Sequence, residues 1–364
     1  VNDVFDLPPR FWSSFAKRFW GQRPTLIRRP FATPIVSPPE ILRAVRAAGR
    51  RRPPKDFALW IDRQRPPVSR LTSLLPTRRD SSVRSYLARV GPRLEGGRLA
   101  IFVRHVQVDL GWEPWDRYRS FLAPLYAACG VPTDRAEIDL FLGNYTATPA
   151  GVHADAANVF CFVVEGRKRF RLWSPRAIRA LPRMRSVADY GSIVERSICL
   201  EAGPGDIVYW PPSYWHVGEP RGPGVSLSLA LYEADAPERT CFRARQRTDV
   251  AAAARRGMDH ATGFALEVPP PEPDRLHRRE TVRGTPRFPI LHRRIGRSAF
   301  VSANGRSLEL PAFVGLDALV RIVNEGAPHR VGEMIDLAGR PGPSEAAVRA
   351  LVRFLIRQRA LRRC

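Results

Sequence analysis

Two histidines and one aspartate carry the clearest chemical signal in this chain. His153 and Asp155 lie in GVHADAANVFCFVVEGRKRFRLW (151–173), and His216 lies in GPGDIVYWPPSYWHVG (203–218). Residues two apart on an extended chain point to the same side, so one strand edge can offer an imidazole and a carboxylate to a single ion. His216, 63 residues beyond His153, supplies a third ligand. Two histidines and one carboxylate on one face of an ion leave about three positions open, which is the arrangement of non-haem Fe(II) oxygenases. A closed four-ligand set would instead suit structural zinc, and the scattered cysteines do not supply one.

The elements that must hold these residues are readable around them. After Asp155 the run Val159 to Val164 has the β-branched and aromatic character of a strand. Gly203 to Asp206 makes a turn, Ile207 to Trp210 a strand, and Pro211-Pro212 a rigid corner leading directly to His216. His-X-Asp alone says little; the turn, strand, corner and second histidine fit a sheet rolled back on itself. In Lys168 to Trp173, alternation puts Lys168, Phe170 and Leu172 on one face. A lysine on an apolar face must find an anion, because an unpaired buried ammonium is costly. Lys168 is one of only three lysines, with Lys17 and Lys55. On the strand after His216, Ser226 and Ser228 alternate with Val225, Leu227 and Leu229, so the small polar side chains share a face.

Taken together, these segments resemble the JmjC branch of the cupin superfamily, and within it the ribosomal oxygenases and their cupin-like relatives. The likeness runs from FWGQRPTLIRRPF near Phe19 to the C-terminal segment. It implies a mainly β fold with flanking helices, a double-stranded β-helix that binds Fe(II) through His153, Asp155 and His216 and uses 2-oxoglutarate as co-substrate. Several members of the family place a Lys or Arg fifteen residues after the first His, the position of Lys168, to hold the distal carboxylate of 2-oxoglutarate. By register Asn144 matches an Asn that helps bind the co-substrate, and Ser228 is placed with it. The loop between Gly151 and His153 is shorter than in those relatives, and their Tyr two residues past the Asn is Thr146 here, with Tyr145 displaced by one.

The resemblance further implies hydroxylation of an amino-acid side chain in a protein or peptide, an accessory winged-helix-like domain, and a homodimer. The expected division is a catalytic domain over 1–236, a helical and Pro-rich linker over 237–290, and the winged-helix-like domain over 291–364. The alternatives are a hydroxylase of a free amino acid or natural-product intermediate, and a non-catalytic cupin-like module that binds nucleic acid.

Composition sets the outer limits. The chain has 364 residues, 44% hydrophobic, enough for two or three folded domains. Its net charge of +24 implies attraction to polyanions, an acidic peptide, or a ribosomal protein met against RNA. Five widely spaced cysteines with no C-x-x-C suit reduced, structural thiols. No apolar run approaches the roughly 18 residues of a membrane span, and VNDVFDLPPRFW lacks the character of a signal peptide, so a cytoplasmic location is expected.

Along the rest of the chain, Phe11 to Phe19 reads as a helix and Thr25 to Ile27 as a strand. Ser37 and Glu40 have capping-box spacing before a helix that Gly49 stops. Arg98 to Val108 reads as a strand carrying His105, an ordinary sheet histidine since the three ligands are complete. Trp115 to Cys129 is a helix bent at Pro124, and Asp249 to Met258 an Ala-rich helix that could serve dimerisation. Asn304-Gly305 marks a hairpin, and three helices follow near 316–324, 331–338 and from Ser344.

Overall fold

The computed structural model describes residues 7–8, 10–51, 56–132, 135–179, 189–233, 255, 258–259, 262, 276–285, 289–338 and 343–364. They fall into two compact units, one of Val1–Tyr118 with Ala136–Tyr232, the other of Arg119–Arg135 with Glu233–Cys364.

In the first unit the strands in chain order are β1 Thr25–Ile27, β2 Phe57–Ile61, β3 Leu99–Val103, β4 Ala136–Gly143, β5 His153–Ala154, β6 Ala157–Glu165, β7 Lys168–Trp173, β8 Ile198–Ala202, β9 Ile207–Trp210, β10 Trp215–Pro220 and β11 Gly224–Tyr232. They build a seven-stranded sheet in the order β1-β9-β6-β11-β4-β3-β2 and a four-stranded sheet in the order β5-β10-β7-β8. All the pairings are antiparallel, and the chain crosses repeatedly from one sheet to the other. This is the two-sheet wrapping of a double-stranded β-helix.

Strand parity divides each chain segment between the interior and the outer wall. Along β6, Ala157, Val159, Cys161 and Val163 join Phe170, Leu172, Val208 and Trp210 in the core between the sheets. Phe160 and Phe162 face the other way, against Phe15, Tyr118 and Phe31. Burial on both faces is why β6 reads as an unbroken apolar run instead of an alternating one. On β11 the interior parity is Ser226, Ser228 and Ala230, set beside Phe141, Asp139 and Glu137 of β4. The helices Phe11–Arg18, Pro38–Arg51 and Val83–Val90 flank this unit. Ser37 and Glu40 do form the expected start of the second of these, with the Ser37 N–H donating to Glu40 Oε2 at 2.8 Å. The third opens on a Ser82–Ser85 capping box, and Glu165 accepts from the Val83 and Arg84 N–H groups of its first turn.

The strand expected over Arg98 to Val108 ends at Val103. His105 then adopts a left-handed backbone, φ 50°, and the short helix Gln107–Leu110 follows. The turn is held because the His105 N–H donates to Asp139 Oδ1 at 3.2 Å, so His105 is a turn residue and not a sheet histidine. β2 and β8 had no sequence expectation.

The second unit holds two three-stranded sheets. One has the order β16 Pro328–Arg330, β12 Thr281–Gly284, β17 Leu361–Arg363, and the other β13 Leu291–Ile295, β14 Ser298–Ala303, β15 Arg306–Pro311. Helices Leu316–Glu325, Val331–Leu337 and Pro343–Arg357 pack with them around Val301, Leu316, Leu319, Met334, Val348 and Leu351. The Asn304-Gly305 hairpin is present, with Ala303 opposite Arg306. Leu276 and Val282, placed by sequence in a linker, belong to this core. The Ala-rich helix and PPPEP connector lie outside the described residues apart from Arg255 and Met258.

Candidate metal centre

The antiparallel pairing of β10 with β5 sets His216 directly opposite His153. Asp155 follows β5 immediately, and its carbonyl accepts from Ser213 N at 3.0 Å, tying the Pro corner to the ligand turn. The result brings all three predicted ligands together. Asp155 Oδ2 lies 3.4 Å from His216 Nε2 and Oδ1 lies 3.8 Å from His153 Nε2. One ligand atom from each residue lies within 4.8 Å of the others. An ion about 2.0–2.2 Å from N and O ligands needs ligand atoms spaced on this scale.

The imidazoles are oriented by the backbone. His153 Nδ1 sits 2.9 Å from Gly151 O, and His216 Nδ1 sits 3.1 Å from Tyr214 O. A carbonyl can only accept, so each Nδ1 carries the proton and each Nε2 presents a lone pair towards Asp155. Burial lowers the His216 pKa despite the opposing pull of Asp155, which favours the neutral, ligating form.

The ligands open onto a cavity of about 490 Å³. Two buried polar atoms in its lining, Trp210 Nε1 and Thr148 Oγ1, have no hydrogen-bond partner among the described residues. Unsatisfied groups of this kind cost free energy, and these two lie sealed within the cavity wall, with no accessible surface of their own. Lys168 lines the same space, only 6% exposed. Its Nζ reaches across the interior from β7 to donate to Ser226 Oγ of β11 at 2.9 Å, and it lies 5.0 Å from the Phe141 ring centroid. No carboxylate pairs with it among the described residues. The donor set therefore fits the expected group: a hard cation at the triad and an anionic end at Lys168.

Ser228 lines the cavity, whereas Ser226 is the residue that meets Lys168. Asn144 lies apart from the cavity lining. Its Oδ1 accepts from Leu99 N at 2.8 Å and its own N–H donates to Leu99 O at 3.0 Å. The adjacent Gly143, φ 151°, allows this close approach, since a Cβ there would lie 2.0 Å from Leu99 O. Tyr145, displaced by one position in sequence, nevertheless arrives at Lys168 with its ring centroid 6.0 Å from Nζ. Burial raises its pKa, so it stays a neutral phenol.

Thr148, Trp210 and Asp139 were missed by sequence reasoning. Asp139 also lines the cavity, and its pKa is pushed up to about 7 by burial and by the neighbouring charges of Glu137 and Asp155, against the His105 N–H that holds the carboxylate. Its signal was available: Ile138, Leu140 and Leu142 share one face of β4, which leaves Glu137, Asp139 and Phe141 facing inward.

Fold and site together form a double-stranded β-helix with an open two-histidine, one-carboxylate face, an arrangement suited to a non-haem Fe(II) oxygenase. Residues 134–238 match the family model of the JmjC domain. The fold of the chain is similar to that of YcfD, a ribosomal oxygenase from Escherichia coli, solved in complex with cobalt and succinic acid, at 15% identity and TM-score 0.51 over 99% of each chain. The same protein in complex with cobalt and 2-oxoglutarate gives 15% identity and TM-score 0.50, again over 99% of each chain. A further structure of it gives 16% and 0.51, covering 99% of this chain and 98% of that one. At such identity the likeness is one of fold. No curated protein sequence matches the chain.

Proposed function

We propose that this Fe(II)- and 2-oxoglutarate-dependent dioxygenase hydroxylates an amino-acid side chain of a protein or peptide. The observation that carries the reading is the single cavity lined by the His153, Asp155 and His216 face and by Lys168, which has no carboxylate partner among the described residues. When bound, iron and 2-oxoglutarate would activate dioxygen, one oxygen atom going to the succinate that forms with carbon dioxide and the other to the substrate carbon.

The chain's own residues bind, orient and exclude water. His153, Asp155 and His216 hold the metal on one face and leave the cavity side open. Lys168 takes the distal carboxylate of 2-oxoglutarate, keeping its bond to Ser226. Trp60, Phe102, Phe141 and Tyr232 make an aromatic wall that excludes water, with Asp139 as the carboxyl group within it. Such a wall suits a substrate side chain with an apolar stem and a hydrogen-bond donor at its tip, and it disfavours an acidic one. A side chain of a ribosomal protein fits this chemistry, and the ribosomal oxygenase with the same fold supports it. The unit containing β12 to β17 we read as a winged-helix-like accessory module.

The test is an anaerobic titration of 2-oxoglutarate into the Fe(II)-loaded protein, followed by mass spectrometry of ribosomal-protein peptides after exposure to oxygen. The charge-transfer absorption of the metal-bound keto acid is expected, and one added oxygen atom on a peptide side chain. A charge-transfer band with oxidation of free amino acids and none of peptides would replace the protein substrate by a small one. Absence of the band from folded, iron-loaded protein would leave the binding-module reading.

A further inference from the structure

The metal ligands occupy one end of the β-helix; a different set of side chains gathers at the other. β6 runs from beside Asp155 to Glu165, nine residues that span roughly 26 Å at the strand rise. β9 lies antiparallel to it, with Val159 opposite Trp210 and Phe162 opposite Ile207, so the start of β9 sits at the end remote from the triad. There the segment after β1, the turn between β6 and β7, and the Gly203–Asp206 turn between β8 and β9 enclose a cavity of about 450 Å³ lined by Arg28, Arg29, Arg167, Glu201 and Asp206.

The acids in this cavity are already committed. Asp206 is buried, and its Oδ2 accepts from Arg28 Nη1 at 2.8 Å and from Gly203 N at 2.9 Å, while Oδ1 accepts from Arg29 N at 3.2 Å. Glu201 accepts from Arg169 Nε at 3.0 Å and from Arg221 Nη2 at 3.4 Å. The guanidinium groups of Arg29 and Arg167 are exposed and make no ion pair among the described residues. Arg29 is also held in a left-handed backbone, φ 39°, by the bond from its N–H to Asp206. Two planar, unpaired guanidinium groups thus face one concave space, with Arg28 and Arg221 at hand behind spent carboxylates.

We infer that this cavity binds a phosphate group of an RNA backbone. Guanidinium forks match phosphate oxygens bidentately, and they are weakly hydrated enough to give up water on contact. The overall charge of +24 supplies the long-range attraction that a nucleic-acid partner needs. Because the cavity stands at the opposite end of the barrel from the triad, RNA held there leaves the catalytic mouth open.

The experiment measures binding of a fluorescein-labelled single-stranded RNA to the full-length protein by anisotropy across a salt series, with Arg29→Glu/Arg167→Glu beside wild type. A DNA of the same sequence and inorganic phosphate serve as competitors. The charge reversal is expected to weaken RNA binding at least tenfold and to reduce the salt slope by about 0.7, the value for one phosphate contact on a single strand. The 2-oxoglutarate absorption titration, which these two arginines do not touch, should be unchanged and certifies the fold. DNA competing as well as RNA would overturn the assignment to RNA. Inorganic phosphate is expected to compete weakly, and absence of any binding by the labelled RNA would overturn the nucleic-acid reading. An unchanged affinity and slope, or an equal loss in the control Arg293→Glu/Arg297→Glu of the second unit, would overturn the site.

Discussion

Substituting Gly218 by alanine tests whether the position of Lys168, and not merely its charge, determines co-substrate binding. A Cβ built on Gly218 would lie 2.5 Å from Lys168 Cε and 3.2 Å from Nζ. Carbon atoms rest about 3.5–4.0 Å apart, so the end of the lysine must retreat by about 1 Å or more. Gly218 has no left-handed backbone, and the atom it would strike ends a flexible side chain, so the fold should accept the methyl group. The ammonium, displaced from its 2.9 Å bond to Ser226, loses alignment with the distal carboxylate. A charged hydrogen bond contributes about 1.5–3 kcal/mol, which corresponds to about a 10- to 100-fold weaker affinity for 2-oxoglutarate. The assay is the anaerobic absorption titration, with circular dichroism as the check on folding. Gly218→Ala added to Lys168→Ala should cost nothing more, since the two act through one group. Wild-type affinity in a folded Gly218→Ala protein would refute the reasoning, and so would additive losses in the double variant.

His216→Ala should abolish the 2-oxoglutarate absorption band while the protein stays folded; a retained band would remove His216 from the ligand set. Asp139→Leu should lower peptide turnover at least tenfold and leave the affinity for 2-oxoglutarate unchanged, as read by steady-state kinetics beside the titration; a shift in co-substrate affinity alone would move Asp139 to the other side of the cavity. Asp80 is buried, which raises its pKa, but Arg89 Nη2 at 2.8 Å and the Thr77 N–H outweigh burial and hold it below its usual value. Its stabilisation is therefore complete above the unfolded pKa of about 4 and is lost as pH falls through the folded value. Asp80→Asn should cost about 2 kcal/mol near neutral pH in urea unfolding, and the gap to wild type should narrow below about pH 4.

The ligand triad was legible because metal chemistry constrains residue type and spacing together: His153 and Asp155 two apart on an extended chain, His216 after a proline corner. Lys168 was legible from parity, since a lysine in register with Phe170 and Leu172 has to lie inside. The strand β6 was readable from its β-branched and aromatic run, and the sheet buries that run by covering both of its faces. Asn144 was placed by register with a family pattern, and register carries no information about which neighbour the carboxamide meets, here Leu99. The reach of the strand over Arg98 to Val108 was overestimated because nothing local marks the left-handed turn at His105; a carboxylate from a strand distant in sequence, Asp139, holds it. Thr148 and Trp210 were invisible for a related reason. That a polar atom ends up buried without a partner in the cavity wall is a tertiary fact.

Both imidazoles of the triad are aimed by carbonyls two residues before them in the chain, Gly151 for His153 and Tyr214 for His216. The aim of each ring is thus set by the main chain, with the Trp210 ring packed 4.6 Å from that of His216. Substitutions in the aromatic wall can accumulate without turning either ring, so the part of the cavity that chooses a substrate is free to diverge while the part that handles oxygen stays fixed. New substrates, on this architecture, are reached by changing Trp60, Phe102, Asp139 or Tyr232 one at a time, each step starting from a working metal centre.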